Sequence, residues 1–165
     1  MSESIFRKLD ISCILGYRMA HIRYGMSEDT DAYLRLQFGA LPDESRERHD
    51  RYFDQRVAHN EVLVMDDAGT VIAHLTFRRS ISTPFPDAIH VDELVVDPVH
   101  RRRGHASALM QRAIGEAREG GYRYLYLETS DDPKNHALDL YTALGFHKVG
   151  AFYGEPEQGI YRLDL

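Results

Sequence analysis

The chain has 165 residues, 43% hydrophobic and 28% charged, which gives one domain over 1–165 enough apolar material for a core and excludes a disordered chain. Its formal net charge of -6 argues against a general nucleic-acid binder, which needs a basic surface, and weakly favours a cationic partner. No apolar run approaches the roughly 18 residues of a membrane span, the opening MSESIFRKLD lacks a secretory pattern, and the single cysteine, Cys13, excludes an internal disulfide, so the sequence predicts a cytoplasmic protein without a membrane partner.

In chain order, Ile5 to Leu9 predicts a short first strand. Residues 11–24 approach helical spacing, with Ile11, Ile14, Leu15 and Arg18 on one side. Residues 31–58 predict one or two helices broken near Pro42. Glu61–Met65 and Thr70–Arg78 are apolar and β-branched, and Asp66-Asp67-Ala68-Gly69 between them signals a hairpin. Pro84 and Pro86 make 80–87 a loop. Ile89–Val96 predicts a strand stopped by Asp97-Pro98.

The clearest helix follows, with Ala106, Leu109, Met110, Ala113, Ile114 and Ala117 in one apolar stripe and Gly120-Gly121 as its stop. Tyr122–Thr129 predicts a strand. Asp132-Pro133 predicts the start of a second helix, aspartate as N-cap and proline at the first helical position, with Ala137, Leu140, Tyr141 and Leu144 on its buried side. His147–Tyr153 and Gly159–Leu163 predict two closing strands. Hairpins imply antiparallel pairing and the alternation in the second half implies parallel pairing, so the fold class is α/β (α+β), a mixed sheet with helices on its faces.

The chemistry concentrates at Leu94-Val95-Val96-Asp97-Pro98-Val99-His100-Arg101-Arg102-Arg103-Gly104-His105-Ala106. A strand runs through a basic loop straight into a helix, whose first N–H groups have no intrahelical partner and carry partial positive charge. Such donors can wrap a pyrophosphate, and arginines add charge. The plain alternative is a solvated basic turn. The pattern lacks the Gly-Lys-Ser/Thr of a P-loop and the spaced glycines of a dinucleotide fold.

Arg101-x-x-Gly104-x-Ala106 resembles the (Gln/Arg)-x-x-Gly-x-(Gly/Ala) signature of the GNAT N-acetyltransferase superfamily. Asn135-x-Ala137-x-x-x-Tyr141-x-x-x-Gly145-Phe146 is similar to that family's second motif, with a spacing variant near the asparagine. The resemblance is good over 61–165 and generic over 1–60. It implies a mixed, mostly antiparallel sheet of about six or seven strands and acetyl-CoA as cosubstrate. The backbone of Arg102, Arg103, Gly104, His105, Ala106 and Ser107 would hold the pyrophosphate, with Arg101 in the same loop. Leu94, Val95 and Val96 would line the pantetheine arm, and the Leu94 N–H would polarise the thioester carbonyl. Asn135 would contact the cofactor. Tyr141 would protonate the departing thiolate. For each residue a structural role competes: Tyr141 as a core aromatic, Asn135 as a loop cap.

An amine must lose a proton before it attacks a thioester, and strand 89–96 carries two carboxylates for this, Glu93, preferred for reach, and Asp92. Strand alternation predicts that they point to opposite faces, unless a bulge inverts the phase. The alternative for each is a salt bridge. The nine histidines are scattered and no metal site is expected; Cys13 reads as core. His105 departs from the small or apolar residue common in the loop. The acceptor would be chosen by 17–60, 80–87 and 150–159, where Glu28, Asp29, Asp31 and Asp87 could attract a cationic amine, the alternative for each being an ordinary solvated charge. A CoA-binding module without turnover is the competing function, and oligomeric state stays open, a homodimer included.

Overall fold

The computed structural model describes residues 20–39, 43–80, 85–152 and 155–165. The elements are β1 (His21–Tyr24), α1 (Thr30–Phe38), α2 (Asp43–Ala58), β2 (Val62–Asp67), β3 (Thr70–Ser80), β4 (Ala88–Val96), α3 (His105–Glu119), β5 (Tyr124–Ser130), α4 (Ala137–Ala143), β6 (His147–Phe152) and β7 (Glu155–Asp164). They build a seven-stranded sheet of order β1-β2-β3-β4-β5-β7-β6. Every pairing is antiparallel except β4 with β5. The mixed, mostly antiparallel sheet follows the sequence expectation. Among the described residues no helix is long and apolar enough to cross a membrane.

Strand alternation divides the core in two. Leu63, Met65, Leu75, Ile89 and Val91 face the α3 stripe of Leu109, Met110, Ala113, Ile114 and Ala117. Val62, Val64 and Val71 face Tyr33 and Leu34 of α1 and Phe53 of α2. Adjacent residues of β2 thus serve opposite layers, as a period of two requires. At the β2–β3 turn, Ala68 (φ 53) and Gly69 (φ 89) are both left-handed, the conformation of a type I′ hairpin. Asp66 Oδ1 closes the turn by accepting from the Gly69 N–H at 2.7 Å.

Two sequence expectations are corrected. Residues 21–24 do not continue a helix from 11; they pair with Leu63–Asp66 as β1. Ile22 and Tyr24 pack on the α3 side, while Arg23 bonds Asp29 at 2.7 Å and Asp66 at 2.9 Å, an alternation too short to separate from helical spacing. The expected strand at 5–9, the rest of the 11–24 helix and Cys13 lie outside the described residues. The second correction is the start of α4, which is Ala137. Asp132 instead accepts from the Lys134 N–H at 2.8 Å and closes a preceding turn.

The site is positioned by an irregularity in β4. Thr76 pairs with Glu93 and Phe77 with Val91, so Asp92 is an extra residue, a β-bulge. Before it, Ala88–Val91 pair with Tyr124–Leu127 of β5; beyond it β4 has no β5 partner and the two parallel strands part.

One buried residue carries a stability prediction. His74 is fully buried, and neither ring nitrogen has a hydrogen-bond partner among the described residues. Burial lowers its pKa from 6.5 to about 4. The folded ring therefore stays neutral where the unfolded chain takes up a proton, so stability falls as pH drops from 6.5 towards 4. The expected loss is roughly 3 kcal/mol. His74→Leu should flatten the urea-derived stability profile in that window; an unchanged slope would contradict the assignment.

Candidate active site

Where β4 and β5 separate, a cleft of about 510 Å³ opens, bounded by the end of β4, the basic loop, the start of α3 and α4. Leu94, Val95 and Val96 form one wall; Arg101, Arg102, Gly104, His105, Ala106 and Ser107 form the floor; Tyr141 closes the far side. The sequence did not single out His136, Ala137 and Leu140 as lining, yet they line it too. Ala137 and Leu140 share the stripe of Tyr141, which was the available signal.

The loop is built to present backbone donors. Arg102 (φ 63) and Gly104 (φ 84) are left-handed, and a Cβ on Gly104 would point into open space, so glycine is needed there for its φ rather than for room within the protein. The first intrahelical bond of α3 runs from the Ala108 N–H to the Gly104 carbonyl at 3.0 Å. The N–H groups of His105, Ala106 and Ser107 therefore lack helical acceptors, and no side chain caps the helix. Arg101 holds the loop against the strand, donating from Nε to the Val96 carbonyl at 3.0 Å. Asp97 holds the other end, accepting from the Val99 N–H at 3.1 Å and from Arg35 at 3.0 Å; those donors keep its carboxyl below the usual range.

Tyr141 is buried in the α3-side core, its ring 5.9 Å from that of Phe146. Burial pushes its hydroxyl up, so it is protonated at neutral pH, the state a proton donor needs. Asn135 does not line the cleft. Its Nδ2 donates to Thr129 Oγ1 at 2.9 Å and the Ser130 carbonyl at 2.8 Å, and its Oδ1 accepts from the Ala137 N–H at 3.2 Å. These bonds tie β5 to α4, the capping role that the sequence offered beside a cofactor contact. Arg103 is exposed and also outside the cleft lining.

The two carboxylates do not point to opposite faces. The bulge places both on the α1/α2 side. Glu93 accepts from Thr76 Oγ1 at 3.1 Å and the Tyr33 hydroxyl at 3.4 Å. Asp92 accepts from the Tyr52 hydroxyl at 3.3 Å and lies 2.7 Å from Arg78 and 3.0 Å from His90. Burial raises the Glu93 carboxyl, the nearby Asp92 charge adds to the rise, and the two hydroxyl donors oppose it. Burial acts on Asp92 in the same direction, but bonds from His90 and Arg78 win and hold it below the usual range. The pair is thus split into a basic carboxylate, Glu93, and one committed to ion pairs. Among the described residues no His/Cys/Asp/Glu group could hold a metal.

Residues 17–146 match the acetyltransferase (GNAT) family. No curated protein matches. The fold is similar to that of an N-acetyltransferase from Staphylococcus aureus Mu50, with a TM-score of 0.70 at 24% identity over 88% of this chain and 98% of that one. It is similar to PaiA N-acetyltransferase from Thermoplasma acidophilum, solved with coenzyme A (TM-score 0.67, 12% identity, 89% of this chain and 99% of that one). YncA from Salmonella typhimurium, solved with acetyl-CoA, gives a TM-score of 0.67 at 21% identity, covering 88% of this chain and 94% of that one. At these identities the likeness establishes fold.

Proposed function

The chain belongs to the acetyltransferase (GNAT) family, and from that premise we propose that it transfers an acetyl group from acetyl-CoA to an amine by direct attack in a ternary complex. The observation that carries this reading is the cradle of unpaired N–H groups at the start of α3, opening into a cleft that ends at Tyr141.

The residues present fit the cosubstrate. The N–H groups of His105, Ala106 and Ser107, with left-handed Arg102 and Gly104 before them, suit a pyrophosphate. Leu94, Val96 and Leu140 suit the less polar pantetheine arm. Bound acetyl-CoA supplies the activated acetyl as a thioester. The β4 backbone beyond Asp92, free of a β5 partner, offers N–H groups towards the carbonyl, Leu94 foremost. Glu93 takes the amine proton, Tyr141 gives one to the leaving sulfur, and most of the acceleration comes from holding amine and thioester together. The acceptor is an amine of a small molecule or peptide, and the protein's net negative charge favours a cationic one.

CoA and acetyl-CoA should raise the melting temperature, because ligand that binds only the native state stabilises it, by about 2.7 kcal/mol at 100 times Kd. Gly104→Asp should abolish the shift by setting a negative charge in the cradle and straining φ. An undiminished shift in that variant would place the ligand elsewhere. Thiol release across a panel of amines then separates an enzyme from a CoA-binding module without turnover.

A further inference from the structure

Behind the bulge carboxylates lies a histidine that the reading above does not use. His90 is buried on β4, its ring stacked on Tyr126 with centroids 4.5 Å apart and planes at 8°. Nε2 lies 2.9 Å from Glu128 Oε2 on β5. Nδ1 lies 3.0 Å from Asp92 Oδ1 and 2.7 Å from Arg78 Nη2. The imidazole therefore sits between two carboxylates, each addressed by a different ring nitrogen. Side-chain exposure is 11% at Asp92, 8% at His90 and 29% at Glu128. Glu128 reaches a cavity of about 180 Å³ that it lines with Phe152, Glu155 and Gln158.

This geometry has two settings. In the neutral ring, Glu128 fixes the proton on Nε2, and the Nδ1 lone pair accepts from Arg78. In the protonated ring, Nδ1–H donates to Asp92, and Arg78 Nη2 keeps its 2.7 Å contact with that carboxylate. An acceptor at one nitrogen that orients the other for proton uptake is the logic of a hydrogen-bonded histidine–carboxylate pair. Hydroxyls also lie between Asp92 and Glu93: Thr76 donates to Glu93 at 3.1 Å and Tyr52 to Asp92 at 3.3 Å, and a protonated Glu93 can donate to Thr76 in turn, which frees the Thr76 proton for the neighbouring Tyr52 oxygen.

We propose that the His90–Glu128 pair is the proton reservoir behind the bulge carboxylates, taking up at Nδ1 the proton that the acceptor amine loses during acetyl transfer. The proposal rests on the acetyltransferase reading. The amine N–H bond breaks and an O–H bond forms on Glu93. That O–H bond breaks as Thr76 takes the proton, each hydroxyl of Thr76 and Tyr52 gives up one proton as it gains one, an O–H bond forms on Asp92, and it breaks as the Nδ1–H bond forms. No electrons are transferred. Glu128 holds its hydrogen bond to Nε2 throughout and offsets the imidazolium charge. After product leaves, the proton returns through Asp92 to water. Facing groups are Arg78 on β3, Asp92 on β4, Tyr126 and Glu128 on β5, and Tyr52 on α2, with Arg162 of β7 over the neighbouring Phe85 and Tyr124 rings. Burial pulls the imidazole pKa down, but the two carboxylates win and raise it.

The first measurement needs no acceptor. In the full chain carrying ¹⁵N-histidine, His90 should show the Nε2–H tautomer when neutral and titrate above the ordinary value for histidine, and Glu128→Gln should lower that midpoint. A neutral Nδ1–H tautomer, or a midpoint indifferent to Glu128→Gln, overturns the proposal. The second uses acetyl-CoA with the amine giving fastest thiol release. His90→Gln can still donate to Glu128 and accept from Arg78, as the neutral ring does, but cannot take a proton. It should lower kcat roughly 10-fold, less than the about 10²–10⁴-fold of a directly acting group, change the pH profile, and leave KM for acetyl-CoA in place. Wild-type kcat and pH profile in His90→Gln overturn the reservoir alone. A wild type that binds acetyl-CoA yet releases no thiol with any amine overturns the acetyltransferase reading and the reservoir with it.

Discussion

Tyr141→Phe should lower kcat by about 10²–10⁴-fold, the contribution of a positioned general acid, while the CoA-induced rise in melting temperature persists. The separation follows from where the residue stands. Its ring packs in the α3-side core near Phe146 and its surface lines the cleft, so phenylalanine keeps the packing and removes only the hydroxyl. The cradle at the start of α3 belongs to another element and should bind CoA as before. Burial keeps the hydroxyl protonated above the usual range for tyrosine, so in the wild type no loss of this acid is expected near neutral pH. Steady-state rates with one competent amine, beside thermal shifts with CoA, decide the matter. Wild-type turnover in the variant would return Tyr141 to a core aromatic.

Sequence legibility followed the range of the interaction that fixes each feature. The α3 stripe from Leu109 to Ala117 is local, and all its members are buried as spacing requires. Ala106, at its head, instead lines the cleft. The loop from Arg101 to Ser107 was legible for the same reason, since strand, turn and helix start are contiguous. The bulge at Asp92 was not, because it is a property of pairing with β3, between Thr76 and Phe77. Alternation alone put Asp92 and Glu93 on opposite faces, and one extra residue reversed that. The His90–Glu128 contact depends on the parallel register that sets His90 beside Tyr126, which no local pattern encodes. Asn135 was ambiguous in the sequence because a capping side chain and a ligand-binding one have the same chemistry; its three internal bonds come from contacts with β5 and α4 that appear only in the fold.

Glu93→Gln should lower kcat/KM by about 10²–10⁴-fold at neutral pH, and the deficit should shrink at high pH, where more of the amine is already neutral. The same variant should not lose stability. A carboxyl whose folded pKa is raised above its unfolded value stabilises the fold when protonated, and that contribution fades as pH rises through the folded pKa. The ionised Glu93 is thus a cost at neutral pH that glutamine removes, while its amide can still meet Thr76 and Tyr33. A rate loss without a fall in melting temperature would mark a base rather than a structural polar group. Asp92→Asn acts differently, because the bulge sets it on the same face. Removing its charge removes one influence that holds Glu93 up, so the acid limb of the kcat/KM profile should move to lower pH. It also leaves Arg78 and His90 without their shared anion, so this variant, unlike Glu93→Gln, should melt earlier. If both variants keep profiles parallel to wild type, neither carboxylate takes the proton, and the amine must lose it to water or to its own neighbouring groups.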